Sequence, residues 1–178
     1  MIIVSNHLLS KTKLSFPDHV VVRVNIAWVK SEAELKKILT EIKHDIYLDY
    51  PQGRTKPPKP TLDLAQAIAL AKKHKHVKYF AVSNVEDPEA IGKIRKQLPK
   101  NIELVPKIET KKGVRNIEKI VAKIKNKYLM LDKEDLYLDV DRDADTFECL
   151  IELAREKSRQ SGTQILELHG VVFSPHFD

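Results

Sequence analysis

Ile102-Glu-Leu-Val-Pro-Lys-Ile-Glu109 is an apolar run that ends on one lysine and one carboxylate. Lys100-Asn101 precede it and Thr110-Lys-Lys-Gly113 follow it, so the run has the length and bounds of a short buried strand. Beyond it Val114, Ile117, Ile120, Val121 and Ile124 recur at helical spacing, with Arg115, Glu118, Lys119, Lys123 and Lys125 on the opposite face. Strand, polar loop and helix make one unit of a parallel α/β protein. Such proteins keep their sites at the carboxyl ends of the strands, where Lys107 and Glu109 stand.

The unit repeats in both directions. Upstream, strands are expected at 1–5, 19–27, 45–49 and 77–82. Ser31 with Glu34 three residues on reads as a capping box. Thr61 is expected to cap a helix through Leu64, Ala67, Ile68 and Ala71, and Asp87-Pro88 to open another. Residues 11–18 show no helical period, so the first connection is expected to lack a crossover helix. Residues 51–60 hold four prolines and read as a stiff surface loop. Downstream, a strand at 128–131 leads into an acidic loop at 132–135. A long helix from Asp145 to Gln160 follows, stopped by Gly162, and then a strand at 164–168 that ends in His169-Gly170. Seven strands alternating with helices predict an α/β fold: a trimmed TIM-type barrel of about seven parallel strands with outer helices, in one domain over residues 1–178. An open doubly wound sheet is the alternative, and strand order separates the two.

A chain of 178 residues is long enough for a proper core but short of the roughly 250 residues of a complete eight-fold barrel. The only cysteine, Cys149, cannot form an intramolecular disulfide, and no apolar run approaches the ~20 residues that span a bilayer. A cytoplasmic protein without a membrane partner is expected. The net charge of +6 is spread over helix faces without interleaved aromatic residues, so nucleic acid is not an expected partner. Self-association across an open sheet edge is an expected route to a homo-oligomer.

Polar residues at the predicted strand ends are Arg23 and Asn25, Asp49, Ser83 and Asn84, Lys107 and Glu109, Asp132 and Asp135, and His169. In a barrel these converge on one mouth. Glu109 and Asp135 suit a hard cation, Mg²⁺ or Mn²⁺, held by one or two carboxylates with places left for substrate oxygens. Lys107 and Arg23 supply positive charge for a carboxylate, a phosphoryl group or an enolate oxygen. His169 is a candidate proton donor or acceptor.

The runs Ala81-Val-Ser-Asn-Val-Glu-Asp-Pro-Glu89, Ile94-Arg95 and Pro106-Lys-Ile-Glu-Thr-Lys-Lys-Gly-Val-Arg-Asn-Ile-Glu-Lys-Ile120 resemble strands and helices of pyruvate kinase, as do Arg23-Val-Asn25 and Leu48-Asp49. The resemblance covers roughly residues 20–170. It implies a phosphoenolpyruvate/pyruvate-type barrel in which Lys107 stabilises an enolate and a transferring phosphoryl group. Glu109 and Asp135 would hold the divalent metal, and Arg23, Asn25 and Asp49 would surround the phosphoryl and monovalent-cation site. The chain departs from that family at Ala27-Trp28, where a serine-histidine pair is usual, and at Asp132-Lys133-Glu134, where small residues and an arginine are usual. The proline loop is expected to stand in place of the family's inserted nucleotide-covering domain, and the family's C-terminal domain is not expected here.

Ile108-Glu109-Thr110 and Glu134-Asp135-Leu136 also resemble the citrate lyase β-subunit and HpcH/HpaI aldolase branch of the same superfamily. There a glutamate and an aspartate hold Mg²⁺, and the arginine matching Arg23 binds an acidic substrate. The expected function is therefore metal-dependent stabilisation of the enolate of a pyruvate-like oxo acid, with an oxo-acid or phosphorylated small molecule as substrate. Carbon–carbon cleavage is one alternative, and a catalytically degenerate barrel acting as a binding module is another.

Overall fold

The computed structural model describes residues 2–6, 20–53 and 57–167. Its seven strands are β1 (Ile2–Ser5), β2 (Val20–Asn25), β3 (Asp45–Tyr50), β4 (Val77–Val82), β5 (Glu103–Ile108), β6 (Tyr128–Leu131) and β7 (Gln164–Glu167). Each pairs in parallel with its neighbour in sequence, giving the order β1-β2-β3-β4-β5-β6-β7. A doubly wound sheet reverses its order at a switch point. This one never does, and the alternative is excluded.

The sheet is curled. Tyr47 on β3 places its hydroxyl 3.6 Å from Met130 Sδ on β6. Three strand spacings of about 4.8 Å would hold those strands ~14 Å apart in a flat sheet. Only a concave surface brings such side chains together. Among the described residues β7 does not pair with β1, so the strands form a half-barrel with an open seam.

Alternation along each strand sorts residues between two cores. Val24, Ile46, Leu48, Phe80, Val82, Leu104 and Leu129 face outward and pack beneath the helices. Val21, Tyr47, Ala81, Val105 and Met130 face inward, with Ile3, Tyr79, Tyr128 and Leu166 packed against them. The inward parity then continues toward the carboxyl ends through Arg23, Asn25, Asp49, Ser83, Lys107, Glu109 and Asp132. The lumen is thus apolar in its middle and ionic at its mouth.

The helices are α1 (Glu32–Glu41), α2 (Leu64–Lys73), α3 (Pro88–Gln97), α4 (Lys111–Arg115), α5 (Ile117–Ile124), α6 (Lys133–Asp139) and α7 (Ala144–Gln160). Because the strands are parallel, the crossover helices run back to the floor, and several end there in basic turns: Lys72 and Lys73, Arg95 and Lys96, Lys157 and Arg159. Cations are favoured at that end of a helix. Among the described residues no helix is long and apolar enough to cross a membrane.

Several local expectations need correction. Ser31 does cap α1 through the Glu34 N–H, but Glu34 reaches back to the Lys30 N–H at 2.6 Å, not to that of Ser31. The cap of α2 is Asp63, in a full capping box with Gln66, while Thr61 Oγ1 donates to the Val29 carbonyl at 2.7 Å. The helix after β5 begins at Lys111 and breaks at Asn116, whose amide donates to the Glu86 carbonyl at 2.8 Å. Residues 133–135 are no loop: Asp132 caps α6 and its acids fill the first turn, where the helix dipole favours them. The expected unstructured connection over 11–18 lies outside the described residues.

Candidate active site at the mouth of the half-barrel

One cavity of about 430 Å³ opens at the carboxyl ends of the strands. Arg23, Asn25, Asp49, Ser83, Asn84, Lys107, Glu109 and Asp135 all line it, together with Thr110, Asp132, Leu138 and Asp139. His169 lies outside the described residues. Every other candidate site residue named from the sequence reaches this one space.

Lys107 is the hub. It is 5% exposed, and its Nζ lies 2.8 Å from Glu109 Oε1, 3.7 Å from Asp132 Oδ2 and 3.8 Å from Asp49 Oδ2, while donating to Ser83 Oγ at 3.1 Å. Burial by itself pushes the ammonium down, but the nearby charges of Asp49 and Glu109 outweigh it, and its pKa rises above the ordinary 10.5. Glu109 is 4% exposed and its Oε2 accepts the Asn84 N–H at 2.9 Å. Burial raises its pKa above the ordinary 4.5, the like charge of Asp132 adds to the rise, and Lys107 limits it.

Arg23 Nε and Nη2 both converge on Asp49 Oδ2, at 2.9 and 2.5 Å. Burial works against the guanidinium, and Asp49 more than restores its proton affinity. Below this layer Tyr47 is held neutral: burial, then the Asp49 charge, push its phenol far upward. The aromatic rings Tyr47, Tyr79 and Tyr128 follow one another at 6.3 and 6.2 Å and close the lumen beneath the ions.

Glu109, Asp132 and Asp135 each present a carboxylate oxygen within 4.8 Å of the other two. Oxygen donors at this density match a hard divalent cation. Glu109 Oε1 is buried, and among the described residues its close partner is the Lys107 ammonium at 2.8 Å. The donor set therefore fits Mg²⁺ or Mn²⁺. The sequence places Asp132 at the mouth with the other strand-end residues but pairs only Glu109 and Asp135 as metal ligands. The inward parity of Asp132, two residues beyond Met130, was the signal that places it in this trio.

Asn84 takes a positive φ of 53°, which aims its backbone N–H at Glu109 while its side chain donates to the Gln52 carbonyl at 2.9 Å. Short polar residues tolerate that conformation. On the far wall Thr110 Oγ1 caps α4 and donates to Glu86 Oε1 at 2.8 Å, and Lys112 Nζ pairs with Glu86 Oε2 at 3.0 Å. These bonds tie the turn after β4 to the turn after β5 on either side of Glu109.

No family model and no curated protein matches the chain. Solved structures do. Macrophomate synthase superposes with a TM-score of 0.63 at 16% identity over 84% of this chain and 62% of its own. Citrate synthase SbnG superposes with a TM-score of 0.65 at 15% identity, over 87% of this chain and 69% of its own. An HpcH/HpaI aldolase/citrate lyase family protein from Burkholderia cenocepacia gives 0.63 at 9% identity, over 83% and 70%. These likenesses establish a shared barrel fold. The chain spans about three fifths to seven tenths of the proteins it resembles. Pyruvate kinase is not among these three likenesses, so that part of the expectation gains nothing from them.

Proposed function

We propose that this chain is a divalent-metal-dependent carbon–carbon lyase or aldolase that works through the enolate of a pyruvate-like oxo acid. The observation that carries the reading is a buried lysine beside three converging carboxylates in one cavity. Glu109, Asp132 and Asp135 would hold Mg²⁺ or Mn²⁺, and the ion would polarise the oxo group of the substrate as a Lewis acid. Lys107 and Arg23 flank the same space and offset the negative charge that develops on the oxo oxygen. Ser83 orients the lysine, the Asn84 N–H orients Glu109, and Tyr47 keeps water from the floor. The aldolase, lyase and synthase names among the structural likenesses support carbon–carbon chemistry over phosphoryl transfer.

A second reading, phosphoryl transfer of the pyruvate kinase kind, draws on Lys107 and the paired Arg23. Against it, the connection from β3 to α2 runs only from Pro51 to Asp63, with no room for a nucleotide-covering insert.

Exchange of the methyl protons of pyruvate for deuterium, followed by NMR with saturating Mg²⁺ or Mn²⁺, tests enolate formation directly. Metal-dependent exchange is expected. A rate equal to background at saturating metal would remove the enolate reading.

A further inference from the structure

Along the chain the positive charge is spread over every helix, but the fold gathers part of it on one face. Five turns on the floor of the half-barrel lead from a helix into the next strand, at residues 42–44, 74–76, 98–102, 125–127 and 161–163. They carry Lys43, Lys75, Lys100, Lys125 and Lys127, all exposed, with three half-buried histidines and no aspartate or glutamate. Lys75, Lys100, Lys125 and Lys127 make no ion pair among the described residues. The dipole of a helix favours cations within its last turn. That accounts for Lys72, Lys73 and Lys96, but not for Lys100 and Lys127, which stand beyond the ends of α3 and α5. The four lysine-bearing turns open β3, β4, β5 and β6, consecutive strands of the sheet. At about 4.8 Å per strand their lysines form an arc roughly 14 Å long.

Inside the arc the chemistry changes. Tyr47 is buried, but Tyr79 and Tyr128, nearer the strand starts, stay partly exposed, with ring centroids 6.2 Å apart at 69°. Tyr79 pairs in register with Glu103, and burial, then Tyr128, then Asp45 and Glu103 push its phenol upward. Two carboxylates therefore stand beside the rings, while lysines hold the rim. A phosphate at that centre would be repelled, whereas a flat neutral base could stack on a ring and donate its exocyclic amine to a carboxylate. In a duplex, pairing and stacking already occupy those edges and faces.

The geometry points to the floor of the half-barrel as a binding face for single-stranded nucleic acid, with phosphates along the lysine arc and a base against Tyr79 and Tyr128. This face lies at the opposite end of the strands from the cavity, so its occupation is independent of the enolate chemistry. Anionic lipid headgroups share the phosphate but offer nothing to the tyrosines and carboxylates.

Fluorescence anisotropy of a labelled single-stranded DNA of about 12 nucleotides, a usual site size, tests the face without metal or substrate. Wild type should bind at low salt, with log affinity falling against log salt at a slope of about −2 or steeper, as three or more phosphate contacts require. The triple variant Lys75→Glu, Lys100→Glu, Lys127→Glu should lose at least ~10-fold in affinity and flatten that slope. The same charge change at Lys30, Lys93 and Lys119, exposed lysines away from these turns, should cost much less. Tyr128→Leu should weaken binding at least ~5-fold with the slope unchanged, the loss of one stacked base, and Tyr128→Phe should bind as wild type does. A duplex of the same sequence should bind more weakly than the single strand despite its higher charge density. Equal losses in the two lysine triples would mean that net charge alone is at work and would overturn the proposal. So would tighter binding of the duplex, an unaffected Tyr128→Leu, or retention on vesicles of anionic phospholipid without binding of the single strand.

Discussion

Lys107 Nζ and Glu109 Oε1 lie 2.8 Å apart at positions 5% and 4% exposed, so the fold buries an ion pair two residues apart on the mouth end of one strand. Removing one partner of a buried pair leaves the other charge uncompensated, at a typical cost of 3–5 kcal/mol. Lys107→Met leaves Glu109, Asp132 and Asp49 facing one another. Its thermal unfolding should therefore fall well below wild type without metal and recover in part when Mg²⁺ is added. The absence of any Mg²⁺-dependent recovery would show that the carboxylates do not share an ion.

Asp132 serves two structural purposes that substitution separates. It caps α6 through the Asp135 N–H and contributes to the carboxylate trio. Asparagine caps nearly as well as aspartate, whereas alanine costs about 1 kcal/mol. Asp132→Asn should keep the unfolding midpoint near wild type while Mn²⁺ affinity, read by electron paramagnetic resonance, drops at least ~10-fold, a loss that even outer-shell changes produce. Asp132→Ala should lose both. Equal Mn²⁺ binding in wild type and Glu109→Gln would mean the trio is not a metal site.

Glu86 gives a pH signature separate from the carboxylate trio. Hydrogen bonds from Thr110 and Lys112 hold its carboxyl below the ordinary 4.5. A depressed carboxylate contributes stability above its unfolded value and loses it as pH falls through the folded one. Denaturant titrations of wild type and Glu86→Gln should differ by about 0.5–1 kcal/mol near neutrality, a typical worth for partly exposed pairs. The difference should shrink below pH 4.5 and vanish in more acid solution. A gap that widens toward acid would reverse the assignment.

Two helical glycines are expected to respond oppositely to alanine. A Cβ on Gly113 would stand 2.9 Å from the Val85 carbonyl oxygen and 3.3 Å from Ile108 Cγ2, so the turn beside Glu109 must move. Gly113→Ala should destabilise by roughly 1–3 kcal/mol, the usual cost of overpacking. On Gly92 the nearest atoms belong to the flexible Lys123 side chain, at 2.8 Å and beyond. Gly92→Ala should be neutral or gain up to about 1 kcal/mol of helix propensity. Calorimetric unfolding of both variants checks the pair.

The strands, their parallel arrangement and the gathering of nine of the ten named polar residues around one cavity were legible because short apolar runs repeat and each ends in polar side chains. What the linear pattern could not carry was tertiary. Thr61 and Asp63 are both good caps, and only the Val29 carbonyl, which draws Thr61 away, decides between them. The apolar period runs on through Asn116, and the helix breaks there beside a bond to the Glu86 carbonyl on a different turn. Asp132 was legible as a mouth residue but not as the third member of the carboxylate trio, because Glu109 and Asp135 converge on it only once the sheet has curled and α6 has formed.

The return of the crossover helices to the floor also sets an order of events. The helix ends, turns and first strand residues leading into β3, β4, β5 and β6 carry Lys43, Lys72, Lys73, Lys75, Lys78, Lys100, Lys125 and Lys127 against Asp45 and Glu103. The segments leaving β4, β5 and β6 carry Glu86, Asp87, Glu89, Glu109, Asp132, Glu134 and Asp135 against Lys111, Lys112 and Lys133. The cavity itself is lined by Asp49, Glu109, Asp132, Asp135 and Asp139 against Arg23 and Lys107, so acids outnumber bases there. Such a field draws small cations inward and slows anions until it is neutralised. Under the proposed function, a divalent ion would enter this mouth first and an oxo acid would follow it.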